Sequence, residues 1–436
     1  MGQGQTSTAT AASVFDPISI PEETETPREP VDRATLNPIV PWWQTNQPPN
    51  NLITGPQFGT DAIGNLAPGF NPLPPPIAGA SPAGTPPALR WGQVTAHPFL
   101  SYGLTYGNGL LSGPGQQENT FINTVTPGIS FDIGKYWNLS YVPSLVFFTA
   151  DGYNNTVNQS VSLRGGTTAG EWGINLGNNF AKTDNPTIET GAQTQQTMNS
   201  TQFGASRPLT PVLSLDLGLS QALRWSDDFN NTFSWATQNG INYQLRRQLY
   251  VGANLTLGYD LVEPGTDMTS ERFQLTAGGA LGDKLSYNFS GGFEIRQFLD
   301  TEAEMKLSPI LNASLNYALT EKTSFNVYAN RQVTPSFFDN QFTESAALGG
   351  GVNQRIFGRY FLSFSGGYRW TENNSTFNPT EVVQTANFAF MRVGVSARFL
   401  RRGTGSVFYS WSNNDSSIQG LTFSSNQVGM QLSYGW

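Results

Sequence analysis

The sequence has no cysteine and one histidine, His97, in 436 residues. A Cys/His metal set is therefore excluded, and no metal or cofactor is expected. The missing thiols suit an oxidising envelope, where stray cysteines are a liability, without fixing the compartment. Charge is also scarce. Asp, Glu, Lys and Arg make up 12% of the chain, against about 25% in an ordinary soluble protein. No long apolar run takes their place, and no stretch approaches the ~20 residues of a membrane helix. With 23 basic residues against 31 acidic ones, the net charge of −8 leaves no footprint for nucleic acid. There is no phosphate-cradling glycine loop and no dinucleotide fingerprint. The opening Met1-Gly-Gln-Gly-Gln lacks the basic start and apolar core of a secretory leader. A membrane destination would thus imply a leader upstream.

What remains is glycine, aromatics and alternation. Gly accounts for 46 residues and Phe, Trp and Tyr for 12%. Residues 1–90 form one block, dense in proline: Pro48-Pro49, Pro74-Pro75-Pro76, Pro86-Pro87. Thr, Gly, Asn and Ala fill the gaps without lasting periodicity, as in a largely disordered or polyproline-like segment. It reads as a periplasmic tail or a lumen plug, with Trp42-Trp43 as the anchor for a periplasmic or cell-wall partner.

From residue 91 to 436 the texture is of short alternating runs. Leu213, Leu215, Leu217 and Leu219 share a face opposite Ser214, Asp216, Gly218 and Ser220. Leu249 to Tyr259, Trp137 to Phe147, Leu311 to Leu319 and Tyr360 to Trp370 repeat the pattern. Aromatics fall near the ends of the rows, as in the girdles of a transmembrane barrel. Connections alternate short and long. Short ones include Ile133 to Tyr136 and Gly282 to Lys284. Long ones are Asn108 to Asn119, Thr183 to Thr194, Glu263 to Arg272, Asp300 to Met305, Pro335 to Glu344, Glu372 to Gln384 and Asn413 to Ser425. The short turns are assigned the basic residues, Lys135, Arg164, Arg207 and Arg246 among them. The long loops are assigned the acids, including Glu189, Asp227 and Glu344.

These features predict an all-β chain: a transmembrane antiparallel up-and-down β-barrel of about eighteen strands, with sixteen left open. The alternation near residues 160 and 200, the fourth and sixth strands, is diluted by Thr, Gln and Asn. An even count puts both chain ends in the periplasm and the Pro-rich segment with them. The lipid cost of a buried charge, about 2–4 kcal/mol for Arg or Lys at mid-bilayer, turns the strand charges inward. Parity then names Asp132, Asp216, Arg224, Asp260, Glu294, Arg296, Arg369, Arg392 and Arg398 as lumen and selectivity candidates. Catalysis is not expected. His97 stands alone beside Pro98, and a general base needs a positioned nucleophile.

The chain closes on Val428, Met430, Leu432, Tyr434 and Trp436 along one strand face. This ending resembles the C-terminal strand of bacterial outer-membrane β-barrel proteins. In those proteins the final aromatic is read by the barrel-assembly machinery, so Leu432, Tyr434 and Trp436 are the implied assembly signal. Thr323 to Arg331, Leu362 to Tyr368 and Val407 to Trp436 resemble the β-barrel porin families of Gram-negative bacteria, some of them encoded beside exopolysaccharide systems. The resemblance covers residues 320–436 and implies a lipid-facing barrel in the outer membrane, with a homo-oligomer left open. Its functional expectation is a porin-like channel for ions or small polar solutes. The alternatives are an exopolysaccharide export conduit, or a structural barrel tethered through its Pro-rich tail.

Overall fold

Apolar residues on every second position can be satisfied in lipid only if the backbone polar groups pair without leaving a sheet edge. In the computed structural model this is met by closure. The structure describes residues 89–108, 119–187, 189–191, 193–299, 301–400, 402–418 and 420–436. The Pro-rich segment, apart from Leu89 and Arg90, lies outside the described residues. So do most of the first long connection, Asp300 and Arg401.

The strands in chain order are β1 (Leu89–Trp91), β2 (Val94–Gly107), β3 (Thr120–Ile133), β4 (Trp137–Phe148), β5 (Thr156–Ala169) and β6 (Trp172–Pro186). They continue as β7 (Gln193–Thr210), β8 (Leu213–Ser226), β9 (Asn231–Arg246), β10 (Leu249–Glu263), β11 (Met268–Leu281), β12 (Leu285–Phe298) and β13 (Lys306–Thr320). The last are β14 (Thr323–Pro335), β15 (Gln341–Ile356), β16 (Tyr360–Ser375), β17 (Val382–Phe399), β18 (Gly403–Ser416) and β19 (Phe423–Gly435). Each of β2 to β19 pairs antiparallel with its chain neighbours, and β19 pairs with β2 from Gln427↔Gly107 to Gly435↔Phe99. The result is a closed, up-and-down, eighteen-strand barrel. The two strands with diluted alternation, β5 and β7, are both present, which settles the count against sixteen.

The seam carries an addition. β1 forms a hairpin with β2, Leu89↔Ala96 to Trp91↔Val94, below the level where β19 stops at Phe99. Gly92 turns this hairpin at a φ of 58°, a left-handed conformation that glycine adopts without steric cost. The amide of Trp436 donates to the carbonyl of Pro98 at 3.0 Å. The chain terminus is thus tied into the wall.

Strands are longer than the 9–11 residues that span lipid: β7 and β17 have 18 each. They run on into stretches the sequence assigned to loops. The connection expected over Thr183 to Thr194 is confined to residues 187–192, and that over Pro335 to Glu344 to residues 336–340. Beyond the lipid both faces are wet, so alternation fades while backbone pairing continues. Arg164 and Arg207, assigned to short turns, lie instead within β5 and β7. The turns there hold only two residues, so the nearby cations fall on the strands. Arg207 pairs with Glu171 in the turn at 2.6 Å.

Burial is inverted relative to a soluble protein. Leu275 is 69% exposed, and Leu219, Val407 and Val428 are exposed with it. Ser, Thr, Asn and Gln dominate the buried set. The outward face also carries diagonal tyrosine–asparagine pairs: Tyr102 to Asn123 at 2.8 Å, Tyr368 to Asn387 at 2.7 Å and Tyr409 to Asn426 at 2.7 Å. A ring with a bonded hydroxyl suits an interface that is apolar on one side and wet on the other.

Candidate pore constriction

One part of the wall breaks the pattern. Pairing between β13 and β14 stops at Leu311↔Arg331, although β13 continues to Lys306 and β14 to Pro335. Past that point the tip of the β14–β15 hairpin packs on residues of the inner face of β10–β13. Val333 and Phe342 share parity with the outward residues Val327 and Leu348. Yet they are 3% and 0% exposed and cluster with Val262, Met268 and Phe298. The hairpin tip has bent into the barrel, placing its outer row against the inner row of the strands it covers.

A charge network anchors the tip. Glu294 is fully buried, with Arg296 at 2.8 Å and Arg272 at 2.7 Å. Arg296 also reaches Asp260 at 3.0 Å and donates to the Val333 carbonyl at 3.2 Å. Asp260 accepts from Ser234 Oγ at 2.5 Å. One guanidinium thus joins β10, β12 and the folded-in strand β14. Nearby, Glu344 on the tip takes Lys306 at 3.3 Å, Arg331 at 3.1 Å and Ser308 Oγ at 3.1 Å. Four cations face three acids, and the groups at the centre of the network are almost entirely out of water. Losing one partner from such a pair typically costs about 3–5 kcal/mol, because the other charge stays buried.

The far side of the tip faces loops from across the barrel. Arg224 on β8 donates to the Ser336 carbonyl at 3.1 Å and lies 3.9 Å over the Phe337 ring. The amide of Asn230 donates to the Phe337 carbonyl at 3.2 Å. Glu189, from the β6–β7 connection, accepts from Ser336 Oγ at 2.8 Å and Phe337 N at 3.2 Å. Burial pushes its carboxyl above the ordinary range, although these bonds and the charges of Arg224 and Arg369 oppose the rise. Thr266 and Asn340 meet at 3.0 Å, and Thr376 meets Thr266 at 3.1 Å. Loops distant in sequence therefore converge on the tip at the long-loop end.

The remaining candidates line other parts of the inner face. Asp132 accepts from Asn138 at 2.9 Å and contacts His97 Nε2 at 3.0 Å near the short turns, with His97 and Asp132 both well exposed. Asp216 is bonded to Asn242. Arg392 stacks 4.0 Å over Phe408. Arg369 pairs in register with Ala347 and Phe388, and Arg398 stands exposed near the last short turn. At the closing strand, Leu432 and Trp436 are exposed and Tyr434 packs edge-on to Trp436 at 5.2 Å. Thus Asp260, Glu294 and Arg296 come together, Arg224 sits at the tip, and Asp132, Asp216, Arg392 and Arg398 are dispersed.

Sequence reasoning left out Arg272, Lys306, Arg331 and Asn230, and it assigned Glu344 and Glu189 to the outer loops rather than to this site. Parity could have found the first two, which stand opposite Phe273 and Leu307. It could not find Arg331 and Glu344, which occupy the lipid-facing parity and turn inward only because the hairpin bends. Among the described residues no His/Cys/Asp/Glu group is arranged to hold a metal.

A closed barrel with an apolar, aromatic-bordered outer face and a polar interior defines a membrane-spanning barrel of the outer-membrane type. No family model and no curated protein matches the sequence. Among solved structures, the chain is similar to Pseudomonas aeruginosa OpdK with vanillate, at 11% identity. That match covers 78% of this chain and 99% of that one, with a TM-score of 0.43. It is also similar to Acinetobacter baumannii OccAB3, at 9% identity, 78% and 99% coverage and a TM-score of 0.42. The FrpB iron transporter of Neisseria meningitidis matches at 14% identity, 73% and 62% coverage and a TM-score of 0.40.

Proposed function

We propose that this barrel is a porin-like channel of a bacterial outer membrane, passing ions or small polar solutes by passive diffusion and narrowed at the folded-in β14–β15 tip. The observation that carries the reading is that tip. It is held inside a closed barrel by a buried ion network, leaving the rest of the inner face polar. A barrel serving only as a tether has no need to spend buried charge on its interior, whereas a channel uses an inward element to set its bore and field. In this reading the short turns and both chain ends face the periplasm and the acidic long loops face outward. Residues 1–88 are then a periplasmic tail or a plug. Arg369 and Arg392 act on passing ions, and Leu432, Tyr434 and Trp436 serve barrel assembly.

The test is single-channel recording in planar bilayers with the full chain and with residues 1–88 removed. Large steps from both support an open channel with a free tail. Steps only after truncation support a plug. A folded barrel that is silent in both contradicts the channel.

A further inference from the structure

The outer wall is not uniform around the barrel. Along β10 its outward row is Leu249, Val251, Ala253, Leu255, Leu257 and Tyr259, and along β16 it is Tyr360, Leu362, Phe364, Gly366, Tyr368 and Trp370. Three outward asparagines, Asn123, Asn387 and Asn426, each accept from a tyrosine hydroxyl. From β6 to β9, by contrast, amides interrupt the apolar rows themselves. Asn178 stands between Leu176 and Phe180 on β6, and Gln221 between Leu219 and Leu223 on β8. Thr201 on β7 joins them in register, as Asn178↔Thr201 and Thr201↔Gln221. Their parity is that of Phe203, Leu217 and Leu219, all exposed, so they face outward. One strand on, Asn239 lies in register between Leu217 and Leu255. Asn178 Nδ2 donates to Asn199 Oδ1 at 3.0 Å and to Thr201 Oγ1 at 2.9 Å. Gln221 and Asn239 make no side-chain hydrogen bond among the described residues. Lipid chains offer neither donor nor acceptor, so an amide left facing them is costly.

We propose that the outer face of β6–β9 is an interface between copies of this chain, held by the polar row of Asn178, Thr201, Gln221 and Asn239. The occupant of this face must bring hydrogen-bonding groups to the same depth of the membrane. A second copy does so. Each amide is donor and acceptor at once, so the row is complementary to itself, as a surface shared by identical subunits must be. Polar side chains that find one another between membrane-embedded surfaces favour association, because the alternative is hydrocarbon. Charge agrees with this choice of partner. At the long-loop margin of the same face Lys182 is exposed on β6, and Asp227 and Asp228 are exposed just after β8. The margin therefore carries both signs, and two copies can set cation against acid. Phe203 and Leu219, exposed beside the row, add apolar contact.

The interface lies outside the barrel, so this inference stands or falls separately from conduction. It is tested by photocrosslinking of the full chain in intact outer membranes, with a photoreactive phenylalanine analogue placed at Thr201 or, as the control on an apolar wall, at Phe364. Light should convert the Thr201 form to an adduct of twice the chain's mass, with both parts identified as this chain by mass spectrometry. The Phe364 form should give no such adduct. Asn178→Leu combined with Gln221→Leu makes the row apolar and should lower the adduct from Thr201 several-fold. Should that double variant lose the heat-modifiable folded band, Asn239→Leu decides in its place. No adduct, or adducts with lipid or another protein alone, would overturn the interface. Equal yields from Thr201 and Phe364, or an unchanged yield in the folded variant, would do the same.

Discussion

The two ends of the barrel treat charge in opposite ways. Near the short turns, His97 Nε2 and Asp132 meet at 3.0 Å with side chains 42% and 55% exposed, and Arg207 and Glu171 make an exposed ion pair at the rim. Exposed pairs of this kind contribute about 0–1 kcal/mol. At the long-loop end, Glu294 and Arg296 are closed off from solvent and joined to Asp260 and Arg272. Residue types and distances are similar, yet the consequences differ because only the second set is dry. The difference shows where the barrel invests structure. The short-turn half is a plain wall. The other half holds a folded-in hairpin whose position depends on groups that tolerate no loss of a partner.

The largest expected effect breaks that contrast. Glu294→Ala strands Arg296 and Arg272 in a buried site and should release the tip. Conductance should rise several-fold and stability should fall by about 3–5 kcal/mol, read by single-channel steps and by thermal melting. An unchanged conductance would mean that the tip does not set the bore. Deleting Trp436 comes next. It removes the terminal aromatic and its backbone tie to Pro98, and the heat-modifiable barrel recovered from outer membranes should fall sharply. Recovery at the wild-type level would refute a role in assembly.

Smaller effects sharpen the comparison. Arg369→Glu and Arg392→Glu should each shift the reversal potential toward cations, with Arg369 the stronger because its charge reaches Glu189 at the tip. Equal zero shifts would leave both as wall residues. The smallest effect belongs to the plain end. Asp132→Asn should change stability by less than about 1 kcal/mol and leave conductance alone, whereas a large loss would contradict the assignment of that half as open wall.

Much of the fold was legible because lipid enforces a period of two. Leu249 to Tyr259 and Leu213 to Leu219 could be placed on one face without any structure, and most of the eighteen barrel strands follow from such rows and their turns, whereas β5 and β7, rich in Thr, Gln and Asn, left the count open. The site was less legible. Asp260, Glu294 and Arg296 were visible as inward charges, since each stands opposite an apolar row. Their mutual contact was not, because register between strands is not written in a single run. The inward position of Val333, Phe342 and Glu344, the last two assigned to a long loop, was hidden for a deeper reason. They keep the lipid-facing parity, and only the parting of β13 from β14 beyond Leu311 and Arg331 carries them inside. The contacts of Arg224 and Asn230 with Ser336 and Phe337 join segments more than a hundred residues apart, which no local pattern records.

The central claim is that a solute path runs through this barrel and is narrowed at the β14–β15 tip. The most direct measurement is single-channel conductance of the full chain beside Glu294→Ala, both confirmed as folded by heat-modifiability. The account predicts discrete steps from the wild type or its form lacking residues 1–88, and larger ones when Glu294 is lost. Silence from every folded form, or steps of one size with and without Glu294, would contradict it.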